Sequence, residues 1–311
     1  MKKILFSIVI PTYNGEKTIG VLLKGLVKSL DDYSTEVIII DSSSTDRTVE
    51  EIKKFKSRLK NLEIVTINNC EFGHGRTRNL AVKKARGKYV CFLTQDVKID
   101  SKDFKSRFLE DFNTNERVVA VFGRQIPYDT TPYIQKLGIL IMFWKLDKYT
   151  NKKGLLIFDK KKPFLSFSEK NEFLWYSIFD PFACYIRDFL INNPFKDVSY
   201  GEDLLIGKDI INKGFIKIYD NRCRVVHSHH YNIWDYYSRE KLDIIQRKSL
   251  VKLRESTNIH EKMSMILETK DSIFQKTPKL ALLIFYYAIK ASILIELGLK
   301  DCFGFLLDRV K

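Results

Sequence analysis

Short runs of branched and apolar residues alternate, along the first third of the chain, with stretches whose apolar positions recur three and four apart. Residues 6–10 (FSIVI), 36–40, 62–67 and 89–93 are of the first kind and predict strands buried inside a sheet. Pro11 is expected to end the first of them. Ile19, Leu22, Leu23, Leu26, Val27 and Leu30 keep the i, i+3, i+4, i+7 spacing and predict a helix over 16–30. After DSSSTDRT at 41–48, whose short polar side chains suit a helix start, Val49, Ile52, Phe55 and Leu59 predict a second helix. Leu80, Ala81, Lys84 and Ala85 predict a third, and Gly87 is placed to stop it. Strand and helix thus alternate, which implies an α/β fold with a doubly wound, mostly parallel sheet and right-handed crossovers. Such sheets bind ligands at the carboxyl ends of their strands.

The pattern continues with a helix over 102–112 and a strand over 118–122, which FGRQIP is expected to leave. Residues 137–146 are apolar and aromatic, and a lysine-rich loop at 152–162 is expected to be mobile. A strand follows at 179–186, then a turn at Gly201 into a helix that Gly214 ends, short strands at 216–219 and 224–226, and a basic, aromatic helix over 231–254. Residues 280–299 are the most apolar, but Lys290 and Glu296 interrupt them, so they do not read as a membrane span. On a helix, Lys279, Lys290, Glu296, Lys300 and Asp301 fall within about 140° of arc, so this segment either lies in a membrane interface or docks on the core. Without repeats or a linker, the chain divides into a main domain over 1–235 and a helical extension over 236–311.

Composition narrows the classes. With 311 residues and 45% apolar side chains the chain can bury a large core, which excludes wholesale disorder. An excess of 53 Lys and Arg over 38 Asp and Glu gives +15, which favours phosphate-bearing partners: nucleotides, nucleic acids or an anionic membrane leaflet. The five cysteines form no CxxC pair, which argues against a zinc site or a disulfide framework and fits a reducing, cytoplasmic setting. The amino-terminal apolar run meets Pro11 after about seven residues and reads as a strand, not a leader. Neither GxGxxG nor GxxxxGK[ST] occurs, which argues against dinucleotide and P-loop chemistry.

The densest chemistry lies in residues 70–97, CEFGHGRTRNLAVKKARGKYVCFLTQDV. Gly73 and Gly75 flank His74, which is expected to shape a sharp turn, while Arg76 and Arg78 supply planar donors suited to phosphate. The strand at 89–93 then delivers Asp96 at its carboxyl end.

PTYN at 11–14, the acidic strand end at Asp41, the Arg78–Asn79 pair and the strand closing on Asp96 together resemble glycosyltransferase family 2. These are the inverting nucleotide-sugar transferases of the GT-A fold, and the resemblance covers roughly residues 4–235. FGHGRTRN, LTQDV, FGRQIP, GED and HSHHY look most like the branch holding bacterial rhamnosyltransferases of surface-polysaccharide assembly.

The resemblance implies that Pro11, Thr12, Tyr13, Asn14 and Glu16 line the nucleoside site and that Asp41 accepts a hydrogen bond from a pyrimidine. Arg78, assisted by Arg76, would meet the diphosphate, and the family's aspartate motif is reduced to Thr94-Gln95-Asp96. Asp96 with His229 would hold Mn²⁺ or Mg²⁺, imidazole tolerating Mn²⁺ better. Asp203 would be the catalytic base, supported by Gly201 and Glu202. The implied donor is dTDP-rhamnose and the acceptor a glycan, lipid-linked, at the cytoplasmic face of a bacterial membrane. Three other readings stay open: a nucleotidyltransferase, a basic nucleic-acid-binding module, and a sugar-binding relative without activity. Nucleic-acid binding has no use for Asp41, Asp96 and Asp203; loss of activity is conceivable because Ser42 and Gln95 stand where many relatives carry aspartates.

Overall fold

In the computed structural model, residues 3–30, 34–167 and 172–250 are described. The helix expected at 280–299, and most of the extension expected over 236–311, lie outside the described residues.

Four strands alternate with helices as the apolar pattern requires: β1 (Phe6–Thr12), α1 (Ile19–Ser29), β2 (Thr35–Asp41), α2 (Thr48–Lys53), β3 (Leu62–Thr66), α3 (His74–Lys84) and β4 (Tyr89–Leu93). They pair in parallel in the order β3-β2-β1-β4. Next come β5 (Lys98–Ile99), α4 (Phe104–Phe112), β6 (Val118–Ile126), α5 (Tyr133–Asp147) and β7 (Leu155–Phe158). The described chain ends with α6 (Glu172–Tyr176), β8 (Phe182–Ile186), α7 (Arg187–Asn192), α8 (Glu202–Asn212), β9 (Ile216–Val226) and α9 (Ile233–Leu250). β8 runs antiparallel between β4 and β6, and β9 pairs in parallel with β6 while β5 and β7 join it antiparallel. Six of the nine described strands therefore share one direction, and the carboxyl ends of β1, β2, β4, β6 and β9 line one edge. The core packs Ile8, Ile10, Leu22, Leu23 and Leu26 with Tyr89, Phe104, Phe108 and Phe182.

Several boundaries differ from the pattern-based expectation, each for a tertiary reason. β1 runs through Pro11 to Thr12, because the ladder to β4 stops at Val9–Phe92 and Pro11 needs to pair only with β2. α1 starts at Ile19, three residues late, since residues 13–16 bond to other loops. His74 opens α3 instead of shaping a turn. Gly75 lies inside that helix because a Cβ there would stand 2.1 Å from the Lys196 carbonyl oxygen. Gly87 lies beyond the helix end at Lys84, where the backbone passes close to Ser7 and its N–H reaches the Ser7 hydroxyl at 2.9 Å. Within the expected loop at 152–162, β7 buries Leu155, Leu156 and Phe158 against β9. FGRQI stays in β6, and β9 is one strand, with an irregularity between Gly123 and Arg124 where two strands were expected.

The chain separates into two compact units. The first holds Met1–Ile126, Leu146–Phe167 and Leu174–His227, and the second holds Pro127–Lys145, Ser168–Phe173 and the described residues from Ser228. In the second, Gln135 and the Tyr231 backbone exchange two hydrogen bonds, and the Ser228 hydroxyl meets Thr131 and the Tyr128 N–H.

Candidate functional site

The carboxyl ends of β1, β2 and β4 are stitched together in the first unit. Four consecutive backbone N–H groups after β1 each donate to a side chain from elsewhere: Tyr13 to Gln95 (3.0 Å), Asn14 to Ser44 (2.9 Å), Gly15 to Thr48 (2.7 Å) and Glu16 to Asp46 (3.1 Å). Asn14 adopts a left-handed φ of 46°, a conformation asparagine tolerates, and its carboxamide oxygen accepts from the Thr45 N–H. Glu16 takes the Arg47 N–H. Asp41 is 1% exposed, and its carboxylate accepts from the Thr12 hydroxyl, the Ser44 hydroxyl and the Ser44 N–H. It thus organises the loop after β2. Tyr13, which follows β1 at this edge, is 44% exposed.

Past β4, Gln95 turns its carboxamide back on Tyr13, accepting from its N–H and donating to its carbonyl at 3.0 Å each. Asp96 reaches the other side of the edge, where its Oδ1 lies 3.5 Å from His227 Nε2. His227 Nδ1 lies 2.9 Å from Gln125 Oε1. A carboxamide oxygen only accepts, so Nδ1 donates to it, and Nε2 faces Asp96. A ring nitrogen oriented by a hydrogen bond on its far side, beside a carboxylate, is a fitting donor set for a divalent cation such as Mn²⁺. The expected histidine, His229, follows two residues later and belongs to the second unit, where its ring lies against Tyr231.

Arg78 is 6% exposed and does not present its guanidinium to solvent as a phosphate ligand would. It binds Asp180 through Nε (2.9 Å) and Glu202 through Nη1 (2.6 Å), between the rings of Phe92 and Phe195. Burial works against its charge, but Asp180 and Glu202 override this and raise its proton affinity. The neighbouring Asn79 fixes the Phe195 backbone with two hydrogen bonds. Arg76, which is largely exposed, pairs with Asp197 at 3.1 Å. Gly201 enters α8 at φ +83°, a conformation glycine allows, and the next two residues diverge. Glu202 turns to Arg78, whereas the half-buried Asp203 accepts the N–H of Leu204. Burial, then the charges of Glu202 and Asp180, push the Asp203 carboxyl well above the usual range, with Arg78 opposing them. Burial likewise pushes Asp180 up to about 6, with Arg78 and the Tyr185 hydroxyl opposing and Glu202 adding to the rise.

Asp180, Gln125, His227 and Lys217 were not among the expected site residues. Lys217 is fully buried, donates to the Ser177 carbonyl, and lies over the Phe158 ring; burial pulls its amine well below the usual range, and Asp203 resists. A charged residue inside an apolar run is the signal that marks both Asp180 in FDPFACYI and Lys217 in FIKIY.

Residues 7–170 match the model of Glycosyl transferase family 2. The O-antigen chain rhamnosyltransferase RfbN of Salmonella typhimurium is 30% identical over 242 residues, covering 75% of this chain and 69% of that protein. The poly(ribitol-phosphate) beta-N-acetylglucosaminyltransferase TarS of Staphylococcus aureus is 31% identical over 148 residues, 44% of this chain but only 26% of that longer protein. Among solved structures, a mannosyltransferase of Pyrobaculum calidifontis in complex with GDP-Man and Mn²⁺ superposes with a TM-score of 0.56 at 14% identity, covering 97% of this chain and 78% of that one.

Proposed function

The chain belongs to glycosyltransferase family 2, and from that premise we propose that it moves a sugar from a nucleoside-diphosphate donor, dTDP-rhamnose, to a glycan of a bacterial surface polysaccharide with inversion. The observation that carries the reading is the Asp96–His227 pair at the carboxyl end of β4, with Gln125 holding the imidazole so that Nε2 faces the carboxylate. A Mn²⁺ ion held by Asp96 and His227 would neutralise charge on the diphosphate. The nucleoside would lie along residues 11–14, stacked on Tyr13. Asp203 is the base: the acceptor hydroxyl gives its proton to the carboxylate as its oxygen attacks the anomeric carbon. The bond to the diphosphate breaks, and the nucleoside diphosphate leaves. Arg78 would act by pairing Glu202 and Asp180, so that Asp203 faces less negative charge and ionises more readily. RfbN supports rhamnose as the sugar, and a lipid-linked acceptor fits the net charge of +15 at an anionic membrane surface.

The test offers dTDP-rhamnose, UDP-GlcNAc and GDP-mannose with Mn²⁺ and measures the nucleotide released. Release of dTDP from dTDP-rhamnose alone supports the donor; preference for UDP-GlcNAc discards rhamnose and keeps the family chemistry, and release of pyrophosphate would mean nucleotidyl transfer. Asp203→Asn should abolish transfer while leaving donor affinity within about twofold, because only the transition state uses the base. Equal activity in that variant rules Asp203 out.

A further inference from the structure

Gln95 occupies the centre of the acidic motif, yet it has no charge to offer a cation. Its carboxamide instead mirrors a peptide group, accepting from the Tyr13 N–H and donating to the Tyr13 carbonyl at 3.0 Å each. An aspartate or glutamate could supply only the acceptor and would set a carboxylate against that carbonyl oxygen. The chain makes room for the contact: a Cβ on Gly15 would stand 2.4 Å from Gln95 Oε1, and the other atoms near it also belong to the Gln95 side chain. Gly15 does not have a positive φ, so closeness to Gln95 is what glycine serves at this position. Gln95 is chemically bonded to Asp96 on one side and hydrogen-bonded to the loop at 13–16 on the other. The other amides of that loop are held by Ser44, Thr48 and Asp46, so among the described residues Gln95 is what ties it to the end of β4.

We infer that Gln95 is a positioning residue that couples the nucleoside end of the site to the metal end, so that ordering one by its ligand orders the other; the inference rests on the nucleotide-sugar reading above. A ligand that fixes Asp96 then lowers the cost of fixing residues 13–16, which is positive cooperativity between metal and nucleotide.

The experiment measures, by calorimetry, the affinity of the full chain for dTDP, UDP and GDP with and without Mn²⁺, and compares the ratio in Gln95→Met and Gly15→Ala. Methionine keeps the length and loses both hydrogen bonds. Alanine at 15 displaces the flexible end of Gln95 without altering Gln95 itself, and serves if Gln95→Met fails to fold. In the wild type Mn²⁺ should tighten nucleotide binding about tenfold or more, and in both variants the gain should fall to about twofold. A merely structural role would weaken binding alike with and without metal and leave the ratio intact, and that result overturns the coupling. Nucleotide binding that Mn²⁺ does not tighten in the wild type also overturns it, while leaving the nucleotide-sugar reading standing. No nucleotide binding at all would sink both.

Discussion

Adjacent acids at the start of α8 are given opposite tasks by their surroundings. Glu202 is buried against Arg78 at 2.6 Å, so its charge is compensated in the fold. Glu202→Gln should cost about 1–3 kcal/mol, read as a lower midpoint in urea unfolding, because a charged hydrogen bond is replaced by a neutral one in a buried site. Asp203 is the reverse case. Its carboxyl is pushed well above the usual range, chiefly by burial, so the folded state binds a proton more tightly than the unfolded chain does. Ionised Asp203 therefore weakens the fold, and Asp203→Asn should raise the unfolding midpoint at pH 7.5 while removing transfer. A midpoint below wild type would show that the carboxylate is compensated after all. The sequence marks the pair as acids after a glycine, but which acid meets Arg78 depends on how α8 is rotated against α3, more than 120 residues away in the chain.

At the scale of elements, packing moved boundaries that periodicity had drawn. Gly207 in α8 illustrates the constraint: a Cβ there would stand 1.9 Å from the Tyr176 carbonyl oxygen. Gly207→Ala should cost about 1–3 kcal/mol in thermal or urea unfolding, because backbone must shift to admit the methyl group. The contact of α4 with β9 carries a second consequence. Asp111 of α4 is buried beside Asp220 of β9 and is pushed up to about 8, by burial first and by Asp220 next, with Arg222 opposing. Between about pH 4, where an exposed aspartate titrates, and about pH 8, the folded chain binds a proton that the unfolded chain lacks. Stability from this group is therefore full at the acidic end of that window and declines as pH rises through it. Asp111→Asn should flatten the decline, measured as unfolding free energy at pH 5, 6.5 and 8. Nothing in the local pattern of α4 distinguishes Asp111 from its exposed neighbours, since the partner that perturbs it arrives on a strand over 100 residues later.

For the whole molecule, the excess of 53 basic over 38 acidic residues predicts steering of anionic ligands. The association rate for a nucleoside diphosphate should fall several-fold between about 50 and 300 mM salt, followed by stopped-flow, as screening shortens the reach of that field. An unchanged rate would confine the charge to solubility. By itself the sequence determined the α/β class, the parallel arrangement of the first four strands and the stretches at which chemistry collects. Strand burial, helical spacing and the residues that close a strand are local properties, written in consecutive positions. Only the tertiary structure decided which side chains meet: that Arg78 serves Asp180 and Glu202, that His227 faces Asp96, and that Gln95 holds Tyr13. Those pairings join segments distant in the chain, and they are settled by strand order, register and helix rotation, which no single stretch of residues encodes.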